Sequence, residues 1–160
     1  NLSTVRSYVA GQSSTENGYT SGGFAPPGNS NIIDKFPFSA DANATDVGDI
    51  TQARNRPSGQ SSDTSGYTSG GFGPARTNII DKFSFASDAN ATDVGNLTEG
   101  IYGTSGQSST QSGYRTGGNN PGGSGSNVID KFPFASDANA TDVGNLTQGR
   151  FQGNPNGQQV

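Results

Sequence analysis

One phrase of eight residues, Asp-Ala-Asn-Ala-Thr-Asp-Val-Gly, occurs three times without a change, at 41–48, 88–95 and 137–144. Successive copies begin 47 and 49 residues apart (41 to 88, and 88 to 137). A fixed period of this length is typical of repeat architectures, in which each repeat is one small structural unit. The predicted units are residues 1–48, 49–95 and 96–144, followed by the start of a fourth unit in 145–160.

The composition limits what one unit can do alone. Only 28% of the residues are hydrophobic, and glycine supplies 25 of the 160 positions. Ordering the backbone costs about 1–2 kcal/mol per residue, so each unit needs apolar contacts from its neighbours. Low hydrophobicity is also typical of disordered chains, but these usually carry more than the 14% charged residues found here. Isoleucine and phenylalanine at fixed positions in every unit favour a shared fold.

Charge and residue types exclude several classes of function. The net charge of −4 argues against a nucleic-acid partner, because phosphate backbones are bound by basic surfaces. No stretch approaches the 18 or more apolar residues of a membrane span. Cysteine and histidine are both absent, which removes disulfides, thiolate metal sites and the usual acid–base group at neutral pH. We therefore expect a protein that is not an enzyme and has no cofactor.

Each unit begins with the pattern of a β-hairpin. In the first unit, residues 5–14 and 18–21 are separated by a polar turn that ends in Asn17-Gly18, a strong hairpin signal. We expect two antiparallel strands here, and a variable Gly/Pro-rich loop after them. The second strand is expected to end at a glycine pair that recurs in every unit: Gly22 and Gly23, Gly70 and Gly71, and Gly117 and Gly118.

Two further strands complete the predicted unit. Residues 32–38 alternate as a third strand, with Ile32 and Asp34 on one face and Ile33 and Lys35 on the other. The octet has the composition of a turn, and its last residues, Asp46-Val47-Gly48, lead into a short run ending at Thr51 that is predicted to be a fourth strand or an extended edge. No window has helical spacing of apolar residues, so the fold class is all-β. The third strand carries a structural phenylalanine in each unit: Phe36, Phe83 and Phe132.

This order of features resembles the kelch repeat, in which a hairpin ending in Gly-Gly is followed by a variable loop, a strand with an aromatic residue and a short outer strand. The resemblance implies β-propeller blades, about three four-stranded blades per chain. The chain departs from the kelch pattern where a valine lies near the place of the outer-strand tryptophan, at Val47, Val94 and Val143. Kelch repeats often carry an arginine after the blade boundary, which falls here at Arg6, Arg54 and Arg150, while Ile101 breaks the pattern.

Three blades cannot close a ring, since propellers typically have four to eight. We therefore expect other chains to complete a ring or array, as a homo-oligomer such as a dimer or trimer, with the tail in 145–160 available for strand exchange. A β-solenoid or a trimeric fibre is the alternative architecture. The repeated phrase also resembles tandem segments of virion structural and tail-fibre proteins of marine bacteriophages, notably those that infect cyanobacteria.

The octets place oxygen-bearing side chains at alternate positions, as calcium loops do. The EF-hand glycine and the bidentate glutamate are missing, so the pattern is partial. Aspartate and asparagine also cap turns by accepting hydrogen bonds from nearby backbone N–H groups, and this structural role is the favoured interpretation. The candidate calcium ligands are Asp41, Asn43, Asp46, Asp88, Asn90, Asp93, Asp137, Asn139 and Asp142.

Two other sets of side chains are candidates for contacts. The lysine of each Asp-Lys pair, such as Lys35, points away from its neighbouring aspartate, so we expect it to meet a carboxylate on the next strand or blade. The aromatic residues could stack on sugars if they lie on loops. Core packing is expected for Tyr19, Tyr67 and Tyr114, while Phe24 and Phe72 are better surface candidates, alongside Tyr8, Tyr102 and Phe151.

The sequence thus predicts a non-enzymatic structural and interaction module of a phage particle, in the tail, a fibre or the capsid. Its expected location is the virion or the extracellular space, and its expected partners are further copies, other virion proteins and surface glycans. The alternative is a bacterial extracellular adhesin or filament subunit, built from the same repeated unit. A carbohydrate-active enzyme with paired carboxylates is the third hypothesis, but acids that recur in every unit favour a structural role.

Overall fold

A computed structural model describes residues 1–151. Residues 152–160, which belong to the predicted start of a fourth unit, lie outside the described part. Within residues 1–151 the regular structure consists of β-strands, and no helix occurs that could cross a membrane. The all-β class predicted from the sequence is confirmed.

The strands form three four-stranded sheets and one two-stranded ribbon. Sheet A contains β1 (Ala10–Ser13), β2 (Asn17–Ser21), β5 (Ile32–Pro37) and β6 (Thr45–Asp49), and the ribbon contains β3 (Phe24–Ala25) and β4 (Gly28–Asn29). Sheet B contains β7 (Ser58–Ser61), β8 (Ser65–Ser69), β9 (Ile79–Ser84) and β10 (Thr92–Asn96). Sheet C contains β11 (Ser105–Ser108), β12 (Ser112–Thr116), β13 (Ser126–Pro133) and β14 (Thr141–Arg150).

Each sheet follows the chain order of its own unit, and all neighbouring strands are antiparallel. The predicted hairpin is present, because Ser13 pairs with Gly18 across the turn. Its first strand is shorter than residues 5–14, since Ser7 instead pairs with Phe24 of the same unit. The fourth strand begins at Thr45, inside the octet, and the bend that precedes it lies at residues 38–40, before the octet.

The alternation predicted for the third strand is only partly observed. Ile33 and Asp34 point to opposite faces, yet both are fully buried. The same holds for Ile80 and Asp81 in sheet B. The reason is that neighbouring structure covers both faces of these sheets, so the strand does not have one solvent face as a half-buried strand would.

The hydrophobic core lies between the sheets. One cluster joins residues of sheet A and its connection to residues of sheet B, and a second cluster joins sheet B to sheet C in the same way. A unit without its neighbours would therefore lose about half of each cluster. The members of the two clusters are Tyr19, Ile33, Ile50, Phe83 and Ala91, and Tyr67, Ile80, Leu97, Ile101, Phe132 and Ala140.

The recurrent phenylalanine of each third strand covers a glycine on the adjacent strand. Phe36 lies opposite Gly18, and its ring occupies the space that a Cβ at Gly18 would need. Aromatic cover of a strand glycine compensates for its missing side chain. The same arrangement joins Phe83 to Gly66 and Phe132 to Gly113.

Candidate functional sites

The predicted calcium ligands of the octets accept hydrogen bonds from the protein itself. Asp46 Oδ1 accepts a bond from the backbone N–H of Gly48 at 3.1 Å, which is the geometry of a local Asx turn. Asn90 Oδ1 accepts a bond from the N–H of Asp49, the first residue of the same unit, at 3.0 Å. The equivalent residues repeat both contacts: Asp93 with Gly95, Asp142 with Gly144, Asn139 with Asn96, and Asn43 with the terminal amine of Asn1.

No group of three or more acidic side chains converges in residues 1–151. In the structure, the asparagine of each octet binds the first residue of its own unit. Calcium binding at these residues stays a prediction.

The first aspartate of an octet pairs with a lysine of the preceding unit. Lys35 Nζ lies 2.8 Å from Asp88, and Lys82 Nζ lies 3.0 Å from Asp137. The hydrogen bond to Asp88 raises the pKa of Lys35, and that to Asp137 raises the pKa of Lys82. The expected contact between a lysine and the next unit is thus present. Both pairs are partly exposed, so each contributes at most about 1 kcal/mol.

The tyrosines of the Gly-Tyr pairs lie between sheets. Tyr19 is stacked on Phe85 at 4.8 Å between ring centroids and lies 5.5 Å from Phe83. Tyr67 repeats these distances with Phe134 and Phe132. Burial raises the pKa of both tyrosines, because the phenolate would be poorly solvated there.

These shifts predict an alkaline limit to stability. The folded-state pKa values of Lys35 and Tyr19 lie above the ordinary 10.5 and 10.0, so the unfolded chain releases these protons first. Their stabilising contribution should be complete below about pH 10 and lost as the pH rises through the folded values. Urea midpoints measured from pH 8 upwards, with tyrosinate absorbance in parallel, would show the fall. A midpoint that stays constant up to pH 11.5 would contradict the assignment.

In the first two units a buried ion pair joins the start of the unit to its third strand. Arg6 Nη2 lies 2.6 Å from Asp34 Oδ2, and Arg54 Nη1 lies 2.9 Å from Asp81 Oδ2, with side chains fully buried in both pairs. Burial lowers the pKa of Arg54, and Asp81 offsets part of this effect. The sequence showed these arginines only through the kelch resemblance, and it did not predict their aspartate partners.

The third unit makes the same pair with an arginine from a different strand. Ile101 occupies the position of Arg6 and Arg54, and Arg115 occupies the position of Thr20 and Thr68. The fully buried guanidinium of Arg115 reaches Asp130 from β12 instead. The third unit lacks an arginine at position 101 and has one at position 115, and in either place the arginine would pair with the aspartate of the third strand. The aligned sequences of the units show both changes, which was the available signal that the two positions share one partner.

The paired glycines take backbone conformations that favour glycine. Gly22 has φ of 64° and Gly23 has φ of 106°, and the pairs in the other units are alike. A Cβ at Gly22 would lie 2.8 Å from the carbonyl oxygen of Arg54. These glycines therefore let the chain turn close to the backbone of the segment that carries the buried arginine.

The two ends of the array expose the unmatched halves of the contacts between sheets. The leading face of sheet A consists of Gly11, Phe36, Phe38 and Asp41. Phe38 is 56% exposed, whereas its equivalents Phe85 and Phe134, which stack on a tyrosine, are half-buried. Asp41, unlike Asp88 and Asp137, has no lysine partner in residues 1–151.

The trailing face of sheet C consists of Gln107, Tyr114, Lys131 and Gly144. Tyr114 is only half-buried and Lys131 is exposed, while their counterparts in sheets A and B contact the next sheet. A Cβ at Gly144 would meet no atom within 4 Å, whereas one at Gly48 or Gly95 would collide with the next octet. The leading and trailing faces are therefore two halves of one junction.

A groove lies where the three units meet, and we call it the aromatic groove. It has a volume of about 310 Å³, and its walls come from all three units. The guanidinium carbon of Arg56 lies 4.5 Å from the ring centre of Tyr8 and 5.8 Å from that of Tyr102. The lining residues are Tyr8, Phe24, Asn55, Arg56, Phe72 and Tyr102.

The aromatic groove contains the surface aromatics favoured by the sequence, Phe24 and Phe72. Tyr19 and Tyr67 are buried, as expected for core residues. Phe151 is exposed and does not line the groove. The sequence missed Arg56 and Asn55, because nothing in the pattern showed that their segment lies beside the aromatic residues.

No protein-family model and no curated protein matches the sequence. Among solved structures the chain is similar to that of YjhT, with a TM-score of 0.74 and 9% sequence identity. The similarity covers 89% of this chain and 53% of the YjhT chain, so this chain spans about half the length of that protein. At this identity the likeness extends to the fold alone, and the chain shares the all-β fold of YjhT over that half.

Proposed function

We propose that the chain is a non-enzymatic structural module of a phage particle, built of kelch-like propeller blades that associate with further copies through their end faces. The observation that carries the proposal is the repeated junction. Sheets A and B, and sheets B and C, meet through the same aromatic, ionic and backbone contacts. The end faces offer the two halves of that junction again.

The contacts expected between copies follow from those within the chain. Tyr114 of one copy would pack on Phe36 and Phe38 of the next, as Tyr67 packs on Phe132 and Phe134. Lys131 would pair with Asp41, as Lys82 pairs with Asp137. Two copies joined at both ends would give six sheets, within the four to eight blades of closed propellers.

The two terminal segments have equivalent roles in this junction. The carbonyl of Asn1 accepts a hydrogen bond from Ala44 N–H at 2.8 Å, as the carbonyl of Asn96 accepts one from Ala140. Asn145 is the next residue in this series. In an assembled junction the segment from Asn145 to Arg150 would replace residues 1–6 of the receiving copy, which is strand exchange of the tail.

A charge-exchange experiment tests the assembly. Native mass measurement should find species heavier than the 16.3 kDa chain. Lys131→Glu or Asp41→Lys alone should weaken association by placing like charges together, and the double variant should restore it. Both positions are exposed, so folding should not change. A wild-type chain that stays monomeric at millimolar concentration would overturn assembly through these faces.

The place in a particle rests on the resemblance of the repeated phrase to phage virion proteins. Detection of the chain in purified particles, together with capsid or tail proteins, would support it. Recovery from a bacterial surface or filament would favour the adhesin alternative. Hydrolysis of a glycan that is lost on changing one aspartate in a single unit would favour the enzyme alternative.

A further inference from the structure

We propose that the aromatic groove is a saccharide-binding site in which Arg56 is the main hydrogen-bond donor to the ligand. The inference does not depend on the assembly or on the particle. It starts from the side chains that line the groove, four of which are aromatic and two polar. A mainly apolar cleft with a few convergent polar groups is the usual form of a small-molecule site.

The guanidinium of Arg56 has unused donors. It lies between the rings of Tyr8 and Tyr102, and it has no hydrogen bond or ion pair from its side chain in residues 1–151. The three arginines of the buried ion pairs, by contrast, each face a carboxylate. A planar fork held between two rings is pre-organised to donate to the oxygens of a ligand.

The backbone at Arg56 shows that its side chain is retained at a cost. Arg56 has φ of 53° and Tyr8 has φ of 57°, which are left-handed conformations that favour glycine. The equivalent residue of the third unit is Gly103, with φ of 66°. The fold therefore accepts glycine at this position, and strained residues of this kind tend to cluster at binding sites.

The same position also connects the three units. The N–H of Arg56 donates to the carbonyl of Tyr8 at 2.9 Å, and the N–H of Gly103 donates to the carbonyl of Arg56 at 2.9 Å. These bonds use backbone atoms only. Side chains at the position can therefore change without loss of the connection.

The chemistry of the lining favours a saccharide over other ligands. The C–H face of a pyranose ring can pack on exposed aromatic rings such as Tyr8, which is 54% exposed, and Phe72, which is 37% exposed. Hydroxyl or carboxylate oxygens can accept hydrogen bonds from Arg56. Asn55 donates to Asn29 at 2.7 Å, which leaves its own amide oxygen for a hydroxyl donor. Arg76 is a second cation beside the groove, with its guanidinium carbon 5.2 Å from the ring centre of Tyr102 and an amide partner in Asn119. The net charge of −4 over the whole chain nevertheless disfavours a polyphosphate.

The experiment uses the whole chain and a panel of immobilised neutral and acidic oligosaccharides, followed by titration of each hit in solution. Arg56→Gly should weaken binding by about tenfold or more, because one charged hydrogen-bonding group is lost. Its thermal midpoint should stay the same or rise, since Gly103 shows that the backbone tolerates the change. Phe38→Ala, on the leading face, is the matched control and should bind like the wild type.

Each outcome decides the proposal. Hits limited to acidic saccharides would make a carboxylate the partner of Arg56, and neutral hits would make hydroxyls the partner; both support the site. No hit at millimolar concentration, or a hit that Arg56→Gly binds as tightly as the wild type, would overturn it. Tyr8→Gly provides a second variant with the same backbone argument, so a folding defect in one variant does not leave the question open.

Discussion

Replacement of Arg115 with threonine should destabilise the protein by about 3–5 kcal/mol, the usual cost of removing one partner from a buried ion pair. Arg115 and Asp130 are both fully buried, and the variant leaves Asp130 with hydrogen bonds from Thr98 only. Threonine itself fits the site, because Thr68 occupies the equivalent position in sheet B. The loss would therefore arise from the uncompensated charge. Urea denaturation measures it directly.

A second substitution should recover most of this loss. Ile101→Arg places an arginine where Arg54 lies in the preceding unit, from which Arg54 reaches Asp81 at 2.9 Å. The double variant Ile101→Arg with Arg115→Thr thus recreates the arrangement of the second unit. Ile101→Arg alone should destabilise, since it buries a second guanidinium beside one aspartate. A double variant no more stable than Arg115→Thr would show that the two positions are not coupled.

The second large effect concerns three equivalent glycines in the first strand of each sheet. A Cβ at Gly59 would lie against the carbonyl oxygen of Gly11 at a separation that real atoms do not reach, and a Cβ at Gly106 would meet Gly59 in the same way. Both obstacles are backbone atoms, which cannot move aside. Gly59→Ala should therefore cost at least about 1–3 kcal/mol, the range typical of overpacking.

Gly11→Ala is the matched control, because its Cβ would meet no atom within 4 Å. This variant should unfold at the wild-type urea concentration. In an assembled junction the same methyl group would collide with Gly106 of another copy, so association should be lost while folding is kept. If Gly11→Ala and Gly59→Ala have the same stability, the close approach of the first strands is wrong.

Much of the fold could be predicted because the local patterns are strong. The hairpin signal at Asn17-Gly18 and the alternation in residues 32–38 each correspond to observed strands. The burial of the two faces of the third strand was harder to predict. Alternation distinguishes the two faces of a strand but does not show whether both are covered. Ile33 is covered by the next unit and Asp34 by the opening segment of its own unit, and alternation within the strand contains neither piece of information.

The candidate sites depended more on contacts between units. The lysine partner could be anticipated, since Lys35 had no local carboxylate within reach. The partner of Arg6 could not, because 28 residues separate it from Asp34 and only the fold brings them together. The aromatic groove likewise requires Tyr8, Arg56 and Tyr102 to meet from three units. Tyr8 and Arg56 share their position with Gly103, and this position becomes informative only when its left-handed backbone is known.

The junction also bears on how chains of this kind change length. Every unit carries one half of the contact on its leading side and the other half on its trailing side, so an extra unit inserted between two others would fit both neighbours without new residues. The unchanged octets mark the same point in every unit, so one whole period can be added or removed there with both junctions kept. Growth and shortening by whole units is therefore the evolutionary step that this architecture tolerates best.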